Sequence, residues 1–312
     1  MPKLDLTRLD RLKMAGGEVA AIKGAGFDWA RPITVTRAQL DTAIDGGTFA
    51  IVDSGITYTL ADSTFNVDVS DVTYMASLFF NSTFNGNINY WNVSNVTNVA
   101  YMFQNATAFN QSLDNWNVSN VTDMRFMFQN ATAFNQSLDN WNVSNVTFMF
   151  GMFQGATSFN QPLDNWNVSN VTNMFNMFWG AIVFNQPLAN WNVSNVTFMS
   201  NMFQNATSFN QTLDNWNVSN VTDMGSMFSS SGLTPENYSR TLIGWANRAY
   251  NGGLNDGVQP NVALGAVGCQ YNTTTYTDAW PNLTGQQFTD AGSARTYLVN
   301  TMGWTITDGG QT

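Results

Sequence analysis

The chain has 312 residues, of which 10% are charged, and carries a formal net charge of −10. That balance excludes the clustered Lys and Arg that displace counterions from a nucleic acid, and no apolar run approaches the ~20 residues of a membrane span. With no histidine and a single cysteine, Cys269, internal disulfides, His-dependent catalysis and a His- or Cys-rich zinc or copper site are excluded as well.

Seven of the eleven basic residues lie at or before Arg37. Leucines at 4, 6, 9 and 12, with Arg and Lys between them, give a short helical face over Leu4–Met14, fit to dock on something larger. Gly16-Gly17 end it, and Gly24, Gly26 and Pro32 break the segment that follows. An initiator Met opens the segment, and it lacks the apolar stretch and cleavage site of a secretory leader. Residues 1–32 therefore read as an attachment arm, with Lys3, Arg8, Arg11, Lys13, Trp29 and Arg31 as its contact residues. Residues 33–64 read as an N-terminal cap: a strand at Ile33–Val35, a helix opened by a capping box at Thr36 and Gln39 and stopped by Gly46-Gly47, and a hairpin turning at Ser54-Gly55.

From Phe84 to Phe228 one 25-residue phrase recurs, clearest as FNQSLDNWNVSNVTDMRFMFQNATA from Phe109. Phe, Trp and Met keep phase in every copy, as at Trp91, Trp116, Trp141, Trp166, Trp191 and Trp216. A worn earlier copy runs from Val69 to Phe79. A fixed period of this length is the signature of a stacked repeat array. Within a copy, Trp116-Asn117-Val118 alternates as a strand does, and Val121, Met124, Met127, Phe128 and Ala131 then fall at helical spacing. Thr122 or Asp123 is placed to cap such a helix. The expected fold is α/β: a leucine-rich-repeat-like solenoid over 65–232, of about seven coils with one short parallel strand and one short helix each, spanning roughly 30 Å at ~4.8 Å per coil. A lone coil cannot offset its ordering entropy, so both ends need caps. Residues 233–312 are the second cap. A helix starts at Thr234-Pro235 and stops at Gly252-Gly253, Gly257 to Pro281 is loop-rich, a helix covers Ala291–Met302, and Trp304–Ile306 suits an edge strand.

The phrase FNQSLDNWNVSNVTDMRFMF, with SGLTPENYSRTLIGW after the array and GWTITDGG near the end, resembles the BspA-like leucine-rich-repeat surface proteins, which also occur as a repeat domain in mycoplasma lipoproteins. The resemblance covers about residues 65–310. It implies a non-enzymatic solenoid for display and adhesion, with no catalytic residue to carry over and no cofactor. Members of that family usually carry an export signal, and the basic arm is foreign to the repeat. A protein of the bacteriophage particle, in tail, fibre or head surface, accounts for both departures, with the arm bound to other virion proteins. A bacterial cell-surface adhesin is the alternative.

Positions where the copies differ point to partners. At the phase of Asp123 stand Asn98, Phe148, Asn173, Phe198 and Asp223, and at that of Arg125 stand Ala100, Phe150, Phe175, Ser200 and Gly225. With Met124 and Met127 inward, Phe126, Phe148, Phe150, Phe175, Trp179 and Phe198 should form an exposed aromatic patch for a host protein or glycan, another virion protein or a second copy. Asn117 and its equivalents should form an outward ladder, and Asn120 and its equivalents should be buried in the bend, bonding the backbone of adjacent coils. Asp114, Asp139, Asp164 and Asp214 stack at one phase, as turn caps or, less fittingly, as calcium ligands.

Overall fold

The structure, a computed structural model, describes residues 33–45, 50–53, 56–59, 67–256, 258–276 and 287–312. The proposed arm, with Lys3, Arg8, Arg11, Lys13, Trp29 and Arg31, lies outside them. The protein is an α/β repeat protein: among the described residues, three helices and three small two-stranded sheets flank a long run of repeated turns.

At the N-terminal end β1 (Ile33–Thr34) pairs parallel with β4 (Val67–Asp68), and β2 (Ala50–Asp53) pairs antiparallel with β3 (Ile56–Thr59). Helix α1 (Arg37–Asp45) is opened by a reciprocal capping box. The Thr36 N–H donates to Gln39 Oε1 at 2.8 Å, and the Gln39 N–H donates to Thr36 Oγ1 at 3.3 Å.

In the repeats the helix expected over Val121–Ala131 does not form, nor does the strand expected at Trp116–Val118. Alternate amides instead do two different jobs. The N–H groups of Val99, Tyr101, Phe103 and Asn105 donate to the carbonyls of Asp123, Arg125, Met127 and Gln129 in the next copy, at 2.7–3.0 Å. Those of Met102, Gln104 and Ala106 donate to the carbonyl three residues back in their own copy. Each copy is thus a ladder strand folded into consecutive turns. Parallel bridges carry the ladder through Tyr74, Asn98, Asp123, Phe148, Asn173, Phe198 and Asp223. Two residues per copy take a left-handed backbone, as at Phe126 (φ 54°) and Asn130 (φ 55°), or Gly151 and Gly155 one copy later. The turns, not a helix, generate the three- and four-residue spacing of Met124, Met127 and Phe128, all fully buried.

Side chains bind the copies further. The indole N–H of Trp116, Trp141, Trp166, Trp191 and Trp216 donates to the carbonyl of Ile88, Leu113, Leu138, Leu163 and Leu188 respectively, at 2.8–3.1 Å. Trp116 and Trp141 stack with ring centroids 6.5 Å apart and planes within 1°. Asn110, Asn135, Asn160 and Asn185 each accept, through Oδ1, the backbone N–H of the equivalent Asn one copy on, at 2.8–3.0 Å. A buried row of Trp, Val, Met and Phe therefore runs unbroken from Val69 to Phe228.

The C-terminal elements complete bonds that a further copy would have made. In α2 (Pro235–Asp256), Trp245 donates its indole N–H to Leu213 O at 3.0 Å, as the repeat tryptophans do. Thr234 N–H and Asn237 Nδ2 meet Asn210 Oδ1 at 2.9 Å, a substitution forced by Pro235, which has no N–H to offer. Gly244 lies against Asp214, where a Cβ would come within 2.4 Å of the Asp214 carbonyl oxygen. The ladder continues into β5 (Ala263–Ala266), which pairs parallel with β6 (Thr305–Asp308). Met224 N–H donates to Ala263 O and Gly265 N–H to Met224 O. Two sequence expectations are corrected here. Helix α2 runs through Gly252-Gly253 to Asp256, and the segment read as loop contains β5.

Helix α3 (Ala291–Asn300) is capped by Asp290, whose side chain accepts from the Ser293 N–H. Burial raises the Asp290 pKa, but the Ser293 hydroxyl and the N–H groups of Ser293 and Gly292 outweigh it and hold the carboxyl below its ordinary value. From α3, Arg295 grips Asp308 of β6 at 2.9 and 3.1 Å, and the Tyr238 hydroxyl of α2 donates to the same carboxylate at 3.1 Å. Burial and then the Asp308 charge push the Tyr238 pKa well up. One carboxylate joins the last two helices to the last strand.

Candidate functional site

The outward side of the ladder is built from the residue that bridges each copy to the next. Four of these are Asn or Asp, and each folds back on its own copy. Asn98, Asp123, Asn173 and Asp223 accept through Oδ1 the N–H two residues on, from Ala100, Arg125, Phe175 and Gly225, at 2.8–3.1 Å. Such Asx turns hold the chain as it enters the next turn. At the same phase Tyr74, Phe148 and Phe198 have no side-chain oxygen on Cγ to close such a turn, and their rings stand 54%, 44% and 46% exposed.

Two of these rings are braced by guanidinium groups. Arg125 lies over Phe148 at 5.5 Å and Phe150 at 5.8 Å, and its Nη2 pairs with Asp123 at 2.7 Å. Arg37 lies over Tyr74 at 5.7 Å and pairs with Asp41 at 2.8 Å. Around Arg125, Phe126 meets Phe150 edge-on at 5.1 Å and stacks on Tyr101 at 5.3 Å.

The expected aromatic patch is therefore only partly exposed. Phe148 and Phe198 face solvent, whereas Phe126, Phe150, Phe175 and Trp179 are half-buried. The Trp179 indole N–H is taken by Gln204 Oε1 at 3.1 Å. Phe126 and Phe150 pack on each other, and Phe148 and Phe150 on Arg125, which lowers the apolar area these rings show to water. Sequence reasoning passed over Tyr74 and the cationic brace. Tyr74 holds the bridging phase in the worn first copy, and that phase was the signal available.

The carboxylate column does not converge on a cation. Asp114 is exposed, Asp139 and Asp164 are half-buried and Asp214 is buried. Asp139 Oδ1 accepts from Asn165 Nδ2 at 2.9 Å. Among the described residues no three His, Cys, Asp or Glu are grouped to hold a metal. Asn117 and its equivalents are outward, each Oδ1 taking the N–H two residues on, as from Ser119 at 3.1 Å. Asn120 and its equivalents bond the neighbouring backbone, as to Ser94 O at 2.7 Å. They do so from exposed positions, not buried ones. Cys269 is buried, and burial pushes its thiol pKa up, away from the reactive thiolate.

What this defines is an α/β repeat protein whose constant residues form the interior and whose bridging column varies between amide, carboxylate and ring. The profile of the family described as "Mycoplasma protein of unknown function, DUF285" matches residues 54–159 and again 135–240. Together these matches cover more than half of the chain, and the chain belongs to that family. The match is consistent with a surface repeat protein of the mycoplasma or BspA-like kind. No curated protein and no solved structure matches the chain.

Proposed function

We propose that this protein is a non-enzymatic display and adhesion protein: a leucine-rich-repeat-like solenoid of about seven coils that presents its bridging column to a partner on a host surface. One observation carries the reading. The interior holds the same Trp, Val, Met and Phe in copy after copy, while three of the exposed large rings, Tyr74, Phe148 and Phe198, fall at the bridging phase, where the copies differ. Exposed aromatic residues on an otherwise hydrophilic face are the usual mark of an interface.

The proposed carrier is a bacteriophage particle, with residues 1–32 as the point of attachment. The concentration of basic residues in an otherwise acidic chain supports that division of labour. Family membership favours a second carrier, the surface of a bacterial cell. The test is binding of the intact chain, and of a chain lacking 1–32 whose thermal transition is intact, to host cells and to phage particles. Loss of particle attachment with retained cell binding is the expected result. Retained particle attachment, or cell binding lost with the arm, would overturn it.

A further inference from the structure

Asn or Asp at the bridging phase closes an Asx turn onto the next residue but one, and a ring cannot. Tyr74, Phe148 and Phe198 therefore give up a bond that Asn98, Asp123, Asn173 and Asp223 make, and they expose an apolar ring as well. Both changes run against folding stability. A position that breaks its own repeat's rule and leaves a ring open to water points to function.

The geometry points to a ligand line for a neutral, extended, β-linked glycan lying along the ladder, with Tyr74, Phe148 and Phe198 as stacking platforms; this rests on the display and adhesion reading above. Three features select that partner. First, the three exposed rings stand in one line with Asn98, Asp123 and Asn173 between them, whereas protein hot spots cluster in a desolvated centre. Phe148 and Phe198 are two copies apart, about 10 Å at ~4.8 Å per copy, close to the length of a β-linked disaccharide. Second, the cations beside the line are already neutralised, Arg125 by Asp123 at 2.7 Å and Arg37 by Asp41 at 2.8 Å. An acidic chain with no uncompensated cation on this line repels an anionic polymer and leaves a neutral one unopposed. Third, the flanking columns are exposed neutral polar groups, Thr97, Thr122 and Thr172 on one side and Asn92, Asn117 and Asn142 beyond them, which suit sugar hydroxyls.

The experiment is titration of the full chain with cellohexaose and chitohexaose, with dextran and polygalacturonate as controls, on the protein and on Phe148→Asn and Phe198→Asn. Each variant restores an Asx side chain, so its thermal midpoint is expected at or above that of the parent. Saturable binding of a β-linked hexasaccharide, weakened roughly five- to tenfold by either substitution, is the expected result. Binding of polygalacturonate alone, or hexasaccharide binding untouched by both substitutions, overturns the ligand line. No hexasaccharide binding up to millimolar concentrations, with host-cell binding still sensitive to Phe148→Asn, overturns the glycan and leaves the adhesion reading standing. Loss of both overturns both.

Discussion

The Trp141 indole N–H joins two neighbouring copies through a single atom, because it ends on the Leu113 carbonyl at 3.1 Å inside a buried stack. Phenylalanine at this position keeps most of the ring and leaves that carbonyl with the Trp116 N–H, at 3.0 Å, as its donor. One buried hydrogen bond is worth about 0.5–1.5 kcal/mol net, so Trp141→Phe is expected to lower stability by that order in chemical denaturation. A change within a few tenths of a kcal/mol would mean that the Trp116 N–H alone satisfies the carbonyl. The same residue scale separates what sequence shows of the site from what it hides. Phe148 and Phe198 were legible as outward because they share a phase with Asn and Asp. The half-burial of Phe126, Phe150 and Trp179 was not, since it depends on Arg125, Tyr101 and Gln204 arriving from other copies. Periodicity gives direction but not who covers whom.

Elements at the two ends were easier to read than those between. The Thr36–Gln39 capping box is local, so a few adjacent residues decide it. The repeat interior misled because overlapping turns bury residues at three- and four-residue intervals just as a helix does. A sign of the difference was present. Asn130, Gly155, Gly180 and Asn205 hold one phase, and recurrent Asn or Gly marks a left-handed backbone rather than a helix interior. For α3 the electrostatics yield a prediction. Asp290 is held below its ordinary pKa in the fold, so its stabilisation is complete above the unfolded value and is lost as pH falls through the folded one. Asp290→Asn keeps an acceptor for the Ser293 N–H but does not titrate. The parent should exceed this variant in thermal midpoint at neutral pH, and the gap should close as the solution is taken below about pH 4. A gap that persists in acid would place the benefit in shape and not in charge.

At the scale of the whole molecule the repeats form one continuous interior from Val69 to Phe228, closed at the C-terminal end by Trp245, Thr234 and Asn237 acting as a substitute copy. In such an array each copy contributes its own stability and one interface, and only phase must be kept. Removing residues 160–184 joins Phe159 to Asn185 and deletes one period without changing what the Trp, Val, Met and Phe columns meet. That protein should fold, with a single cooperative transition at a lower midpoint. Removing residues 160–172 instead sets Phe159 against Asn173, brings outward residues onto the Trp and Met columns and should abolish the transition. The full-period deletion also moves Phe148 next to Phe198, taking the ring separation from two copies to one, about 5 Å. If ring spacing is what the ligand reads, this shortened protein keeps its fold and loses hexasaccharide binding, while deletion of residues 185–209, which removes Phe198 and leaves Phe148, weakens binding only to the level of Phe198→Asn. Equal binding by the parent and the 160–184 deletion would show that the rings act singly and that their spacing along the ladder is incidental.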